Sequence, residues 1–114
     1  MNTSLDDLDP KFRLKAFELL ARCVEARISI RIIETLRSLE QQQENVAAGH
    51  SWTIKSKHLI GKAIDIAPVH VLAVKNWDPD DPSWKIIGEI GEHLGLVWGG
   101  RWKIPDCPHF EEIA

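Results

Sequence analysis

The sequence predicts a small α+β domain in which a central antiparallel sheet is flanked by helices. Two observations support this prediction: apolar residues recur at helical spacing in three segments, and short apolar or β-branched runs alternate with them along the chain. With 114 residues, of which 44% are hydrophobic, the chain has the size and composition of one compact globular domain. Residues 1–114 are therefore expected to form a single domain without a separate binding module.

Capping residues and apolar spacing predict the three helices. An aspartate followed by a proline begins the first helix, and a serine caps the second helix, which Gly49 ends. The helices are expected at residues 10–24, 38–48 and 83–93.

The segments around these helices are predicted to form strands and loops. Strands are expected at residues 28–34, 63–68 and 96–98, and strand structure continues toward the end of the chain. Loops are expected at residues 50–62 and 76–83, where polar and turn-forming residues concentrate. The resulting order is helix, strand, helix, strand, helix and closing strands.

The second predicted strand carries a carboxylate at its centre. Ile64 and Ile66 point to one face of the strand, and Asp65 points to the other face with Ala63 and Ala67. These alanines leave room in front of the carboxylate for something other than protein. Because an unpartnered carboxylate in a partly buried place costs several kcal/mol, Asp65 needs a cation or several hydrogen-bond donors.

The charge distribution excludes several classes of function. A net charge of −3 without a basic run argues against a nucleic-acid partner and against adhesion to an anionic surface. The N-terminal stretch MNTSLDDLDP lacks the basic start and apolar run of a secretory signal. No segment approaches the ~20 apolar residues of a membrane span. We expect a cytoplasmic protein that does not insert into a membrane.

Two histidines and the central aspartate have the chemistry of a catalytic zinc site. His58 lies seven residues before Asp65, and His109 lies near the end of the chain. Such sites use three protein ligands and leave the fourth position to water. Asp106 would be the second carboxylate, which takes a proton from the bound water. Two imidazoles and one carboxylate also suit iron, so these residue types alone leave the metal open.

Asp106, its neighbour Cys107 and Arg37 also have alternative interpretations. Asp106 could form a turn before Cys107, whose thiol could be a soft metal ligand but is expected to be packed instead. Arg37 could be an ion-pair partner of Glu34 or Glu40.

The other three histidines have no partner motif. His50, His70 and His93 are therefore expected to be structural or exposed.

Three sequence blocks, in order along the chain, resemble the signatures of one family of zinc peptidases. They are Thr35-Leu36-Arg37-Ser38-Leu39-Glu40-Gln41-Gln42, Ser56-x-His58-x-x-Gly61-x-Ala63-x-Asp65, and Trp98-Gly99-Gly100-x-Trp102 followed by Asp106-x-Pro108-His109-Phe110-Glu111. The family includes D-alanyl-D-alanine carboxypeptidases, vancomycin-resistance dipeptidases and phage L-alanyl-D-glutamate endopeptidases. Over residues 28–111 the chain is most similar to the phage and prophage endolysin branch. The resemblance implies the fold shared by Hedgehog proteins and D-Ala-D-Ala peptidases.

The resemblance also implies roles for individual residues. It implies that His58, Asp65 and His109 bind Zn2+ and that Asp106 is the general base. Arg37 matches the catalytic arginine that contacts a substrate carbonyl or carboxylate.

Three further residues are expected to bind substrate by the same resemblance. Ser56 matches a position near the substrate backbone, and Trp98 and Trp102 are expected to wall the cleft. Glu111 is expected to support His109. Arg101 stands where phage relatives commonly have aspartate, which leaves the subsite preference open.

The function implied is that of an endolysin-like, zinc-dependent peptidoglycan peptidase. Its substrate would be the stem peptide, cut at the L-alanyl-D-glutamate bond, and a monomer is expected. A cytoplasmic endolysin would reach the cell wall when it is released at lysis, and a cytoplasmic muropeptide-recycling enzyme fits equally well. The alternatives are a D-alanyl-D-alanine carboxypeptidase or dipeptidase, and a non-catalytic zinc module that binds wall peptide.

Overall fold

The structure, a computed structural model, describes residues 1–49, 56–74 and 77–113. These residues form four α-helices and one antiparallel sheet of four strands. The helices are α1 (Pro10–Glu25), α2 (Leu39–Ala47), α3 (Val69–Ala73) and α4 (Pro82–His93). The strands are β1 (Ile30–Glu34), β2 (Ala63–Pro68), β3 (Val97–Trp98) and β4 (His109–Glu111). The predicted α+β fold with a central antiparallel sheet is confirmed.

The first two helices begin at the predicted capping residues. The side chain of Asp9 accepts a hydrogen bond from the backbone N–H of Phe12, and that of Ser38 accepts one from Gln41. Each cap satisfies a backbone donor that the first helical turn leaves without a partner. Gly49 follows α2 with a φ of +78°, a left-handed conformation that glycine adopts without strain.

The start of the first strand differs from the prediction. It begins at Ile30 rather than Ile28, because Arg27 and Ile28 form the motif that caps the C-terminus of α1. Arg27 has a φ of +62° and donates its backbone N–H to Val24, while Ile28 donates to Cys23. This pair of bonds is the Schellman motif, which satisfies the last carbonyls of the helix.

Three other segments also differ from the prediction. Helix α4 begins at Pro82, one residue before the predicted start, because Asp81 caps it and Pro82 takes the first helical position. Helix α3 was not predicted, and a 3₁₀ helix (Lys57–Ile60) lies within the predicted loop at 50–62.

His50 and Trp52 of the first predicted loop and Asn76 of the second lie outside the described residues.

The sheet has the order β1-β2-β4-β3, so β2 lies between β1 and β4. Ile64 on β2 pairs with Phe110 on β4, and the next residue, Asp65, pairs with His109. Paired residues on neighbouring strands project from the same face, so one face of the sheet is apolar and the other is polar at this point.

The apolar face of the sheet is covered by α1 and α4. Together they form one core whose largest members are fully buried: Phe12, Leu19, Ile64, Ile66, Trp84, Ile87 and Phe110. The core therefore fixes the helices on one face and leaves the other face around Asp65 for a site.

An irregularity in β1 brings a second carboxylate to the polar face. Ile32 pairs with Ile66, but Glu34 rather than Ile33 pairs with Asp65. One extra residue in β1 therefore forms a bulge, which is a common device beside functional sites. The bulge aligns Glu34, Asp65 and His109 in one row across three strands.

The helices and cysteines give two further findings. In the described part of the chain, every helix is too short or too polar to cross a lipid bilayer. Cys23 and Cys107 are both buried free thiols, and both belong to the core.

Candidate metal centre and active site

The three predicted metal ligands meet on the polar face of the sheet. His58 Nε2 and His109 Nδ1 each lie 3.1 Å from Oδ1 of Asp65. One ligand atom from each of the three residues lies within 4.8 Å of the other two. Donor atoms this close can surround one divalent ion, whose bonds to nitrogen and carboxylate oxygen are about 2.0–2.2 Å long. Among the described residues, this cluster of possible ligands contains no cysteine.

A short capped turn positions His58. The hydroxyl oxygen of Ser56 accepts a hydrogen bond from the backbone N–H of His58 at 3.2 Å, which caps the 3₁₀ helix. Gly61 ends this helix with a φ of +70°, and its carbonyl accepts a bond from Asp9. A Cβ atom at Gly61 would lie 2.8 Å from the backbone nitrogen of Asp9, so only glycine fits. Ser56, predicted to bind substrate, thus also holds a candidate ligand.

Each histidine ring is fixed by a partner on its far side. His58 Nδ1 donates to the backbone oxygen of Thr35 at 2.7 Å, and His109 Nε2 lies 2.7 Å from Oε1 of Glu111. Each ring thereby presents its other nitrogen to Asp65. Carboxylate or carbonyl partners of this kind orient histidine ligands in metal sites.

The electrostatics of the cluster favour ionised carboxylates around a cation. Burial raises the pKa of Asp65, but hydrogen bonds from His109 and His58 outweigh it and hold that pKa well below its usual range. Burial lowers the pKa of His109, but its bonds to Asp65 and Glu111 raise the value to about 9. Burial raises the pKa of Glu111, and the bonds from His109 and Lys57 lower it below its ordinary value. The protonated His109 thus places a positive charge beside carboxylates with which a bound metal cation would also interact.

Asp106 lies in the turn that leads into β4. Its backbone N–H donates to Gly99 at 2.9 Å, and its carbonyl accepts from His109 at 3.1 Å. The latter bond closes a turn across Cys107 and Pro108, which connects Asp106 to the candidate ligand three residues later. Partial loss of hydration and the negative charge of Asp65 raise the pKa of Asp106. A carboxylate with a raised pKa suits proton transfer near neutral pH.

Gly99 makes this turn sterically possible. A Cβ atom there would lie 2.5 Å from the carbonyl oxygen of Asp106 and 3.1 Å from Cβ of His109. The sequence contained Gly99 in a matched block, but only the packing explains why it must be glycine.

Arg37 is a half-buried residue held by two neighbours. Its Nε donates to Oε1 of Glu34 at 3.0 Å, its Nη2 contacts the same oxygen, and its Nη1 donates to Gln42. The side chains of Arg37 and Glu34 are 11% and 5% exposed. The ion pair with Glu34 was one of the two considered from the sequence. The charge of Arg37 also lowers the pKa of Asp106, although the partial loss of hydration and the charge of Asp65 outweigh it.

The two tryptophans predicted to wall the cleft differ in their surroundings. Trp98 is 6% exposed, and its indole N–H donates to the carbonyl of Cys107 at 2.8 Å. This placement favours a packing role for Trp98 over contact with substrate. Trp102 is 41% exposed, and its ring centre lies 5.1 Å from that of His109. Trp102 therefore offers an exposed apolar surface directly beside the three candidate metal ligands.

Arg101 lies over the Trp98 ring and pairs with Glu92. Its Nε and Nη2 donate to the carboxylate of Glu92 at 3.2 and 3.1 Å, and its guanidinium lies 5.1 Å from the centre of Trp98.

The remaining described histidines lie on helices. His70, on α3, forms an exposed pair with Asp81 at 3.1 Å, and His93 lies in the last turn of α4.

Comparisons of sequence identify related proteins. Residues 49–112 match a family model described as D-alanyl-D-alanine carboxypeptidase. The chain is 37% identical over 87 residues to the L-alanyl-D-glutamate peptidase of a Listeria phage. This alignment covers 74% of this chain and 30% of the phage protein. The chain is 31% identical over 124 residues to the peptidoglycan L-alanyl-D-glutamate endopeptidase CwlK of Bacillus subtilis, in an alignment that covers 94% of this chain and 74% of CwlK.

Solved structures show the same fold. The Serratia marcescens L-Ala D-Glu endopeptidase ChiX matches with a TM-score of 0.71 and 28% identity, over 95% of this chain and 82% of that one. The VanB-type vancomycin resistance D,D-pentapeptidase VanY, solved in complex with Zn(II), matches with a TM-score of 0.56 over 94% of this chain and 73% of that one. At 15% identity, the likeness to VanY concerns the fold alone.

The fold is that of peptidases such as ChiX, and the histidine–aspartate–histidine cluster could hold a metal ion. The chain belongs to the family of D-alanyl-D-alanine carboxypeptidases and L-alanyl-D-glutamate peptidases, which confirms the resemblance seen in its sequence blocks. It spans 30% of the length of the phage relative and about three quarters of CwlK.

Proposed function

We propose that this chain is a zinc-dependent peptidoglycan peptidase that hydrolyses the stem peptide at the L-alanyl-D-glutamate bond. The observation that carries the proposal is the convergence of His58, Asp65 and His109 within 4.8 Å, in a chain related to named L-alanyl-D-glutamate peptidases. Its place of action is then the cell wall, reached by release at lysis, and its working form is a monomer.

The three clustered residues fit zinc as a resident metal. Two imidazoles and one carboxylate are a common donor set of catalytic zinc, and each imidazole already has a partner for its other nitrogen. When bound, zinc supplies Lewis acidity and lowers the pKa of water toward neutrality.

Asp106 is the proposed general base. It accepts a proton from the attacking water and then donates that proton to the leaving amine of the cleaved peptide bond. Because the pKa of Asp106 is raised, its carboxylate is better suited both to accept this proton and to release it near neutral pH. Backbone hydrogen bonds with Gly99 and His109 hold Asp106 in the turn that leads into β4.

Arg37 is the proposed stabiliser of negative charge on the substrate. A guanidinium that is already held in place stabilises the developing oxyanion without reorganising during the reaction. Glu34 and Gln42 provide that fixed position. Ser56 and Trp102 are proposed to contact the peptide beside the site, while Trp98 supports the turn from the core.

The experiment that tests this function is mass spectrometry of the fragments released from defined muropeptides, with and without a chelator. Endopeptidase action frees stems that begin with D-glutamate and leaves alanine on the sugar. Chelation should abolish these products, and added zinc should restore them.

The second candidate is a D-alanyl-D-alanine carboxypeptidase or dipeptidase, which the description of the matched family model favours. In the same experiment it would release only terminal D-alanine or its dipeptide. A protein that binds zinc and muropeptide but releases no fragment would instead be a non-catalytic module.

A further inference from the structure

An ion pair connects the two segments that carry the histidine ligands. Lys57 immediately precedes His58, and its Nζ lies 3.2 Å from Oε2 of Glu111. The other carboxylate oxygen of Glu111 lies 2.7 Å from Nε2 of His109. One carboxylate thus contacts the 3₁₀ helix through its lysine and the strand ligand through its imidazole.

Backbone contacts reinforce this connection. Lys57 Nζ also donates to the carbonyl of Glu112, and Lys57 itself accepts a backbone bond from Lys62 at 3.0 Å. Glu112 in turn donates its N–H to Lys62 at 3.0 Å. The 3₁₀ helix and the end of β4 are therefore joined at several points around one lysine side chain.

The two histidine rings depend on this connection unequally. The ring of His58 is held by the backbone carbonyl of Thr35, a contact that no side-chain substitution at position 35 removes. The ring of His109 is held by the side chain of Glu111, whose other carboxylate oxygen pairs with Lys57. At 26% and 17% side-chain exposure, such a pair contributes little to stability by itself, so its main consequence is geometric.

We propose that Lys57 and Glu111 form a positioning pair that sets the separation and the ring orientation of the two histidine ligands. Glu111 turns Nδ1 of His109 toward Asp65, and Lys57 couples Glu111 to the segment of His58. The inference rests on the proposed metal site but assigns a task to residues outside it.

The test is the zinc affinity of the folded protein, measured by competition with a chromophoric chelator. Glu111→Gln, which keeps the shape and removes the charge, should weaken zinc binding about 10–100-fold. Lys57→Met should weaken it about tenfold, and Lys57→Arg, which keeps the charge, should recover most of that loss.

Lys15→Met is the matched control. Lys15 pairs with Glu112 at the same distance of 3.2 Å, but it lies on α1, which carries none of the clustered ligands. This variant should keep the zinc affinity of the parent.

The unfolding free energy of the metal-free variants separates positioning from simple stabilisation. If Lys57→Met and Glu111→Gln lose stability but bind zinc as tightly as Lys15→Met, the pair is structural and the inference is overturned. A parent protein that binds no zinc would remove the proposed function as well. If the parent binds zinc and the variants bind it equally tightly, only the positioning pair is overturned.

Discussion

Asp65 and His109 are direct partners across strands β2 and β4, and their side chains meet with Oδ1 and Nδ1 3.1 Å apart. The site therefore depends on the register of the sheet. A slip of β4 by one residue would turn His109 to the opposite face, where Ile64 and Phe110 now pack. The apolar core thus fixes the position of the three candidate metal ligands on the other face of the same strands.

Replacing the proposed base should separate chemistry from metal binding. Asp106→Asn should lower the rate of muropeptide hydrolysis about 10²–10⁴-fold, because an amide cannot accept the proton from water. Zinc affinity should not change, since Asp106 is not one of the three clustered residues. Product release and zinc content are measured on the same preparation, and full activity of the variant would show that another group is the base.

Gly99→Ala should damage the site through sterics. The added methyl would lie 2.5 Å from the carbonyl oxygen of Asp106, so the turn that carries Asp106 and His109 must shift. Both zinc affinity and hydrolysis should fall.

Gly95→Ala is the control for the loss of a glycine. Gly95 has a φ of +82°, but the space around it is open apart from the Lys15 side chain at 3.9 Å. This variant should lose stability from backbone strain and keep the zinc affinity of the parent. Equal zinc affinity in both variants would contradict the steric account of Gly99.

Zinc affinity should rise with pH. Zinc needs a neutral imidazole, and in the metal-free protein His109 keeps its proton up to about pH 9. Below that pH, binding must displace the proton, so the apparent affinity should increase about tenfold per pH unit. Chelator-buffered titrations between about pH 6.5 and 8.5 measure this slope, and a flat profile would contradict the protonated His109.

The metal-free protein should respond to pH in the opposite direction. Because the pKa of His109 rises from 6.5 to about 9 on folding, its protonation stabilises the fold fully below pH 6.5. That contribution is lost as the pH rises through about 9. Urea unfolding of chelator-treated protein should therefore show a lower free energy of unfolding at pH 9 than at pH 6.5.

The ion pair of Arg37 and Glu34 predicts that replacing one partner alone lowers the stability of the protein more than replacing both. Arg37→Met leaves the carboxylate of Glu34 buried without its cation, which should cost about 3–5 kcal/mol of stability. Adding Glu34→Gln should recover most of this loss. Urea unfolding of the single and double variants measures the coupling, and a single variant as stable as the parent would show that the pair is dispensable.

Both thiols should be protected in the native protein. Burial raises the pKa of Cys23 to about 11, and burial with the nearby Asp106 charge raises that of Cys107. Alkylation by iodoacetamide near neutral pH should be slow until urea is added. Chelation should not accelerate the reaction of Cys107, whereas a cysteine that bound the metal would become reactive on its removal.

Local sequence signals predicted much of the fold. Asp9 and Ser38 capped their helices as expected, because a cap depends on residues within one turn. The alternation correctly placed Ile64 and Ile66 in the core and Asp65 on the other face of β2, because a strand needs only neighbouring residues to define its faces. Helix α3 follows Pro68 directly, and its short apolar run carried no cap or period to distinguish it from a strand.

The geometry of the site was harder to predict from the sequence than the fold. The bulge that brings Glu34 beside Asp65 depends on pairing between strands, so no local pattern predicts it. The burial of Trp98 follows from Gly88 and Gly100, where a Cβ atom would lie 2.2 Å from its ring. The contact of Lys57 with Glu111 joins residues far apart in the chain, and only the folded structure places them together.

Anomalous diffraction at the zinc edge, from crystals of zinc-loaded protein, tests the central claim most directly. The account predicts one strong peak about 2.0–2.2 Å from His58 Nε2, an Asp65 carboxylate oxygen and His109 Nδ1. A fully loaded protein whose zinc lies elsewhere, or whose three side chains point away from one another, would contradict it.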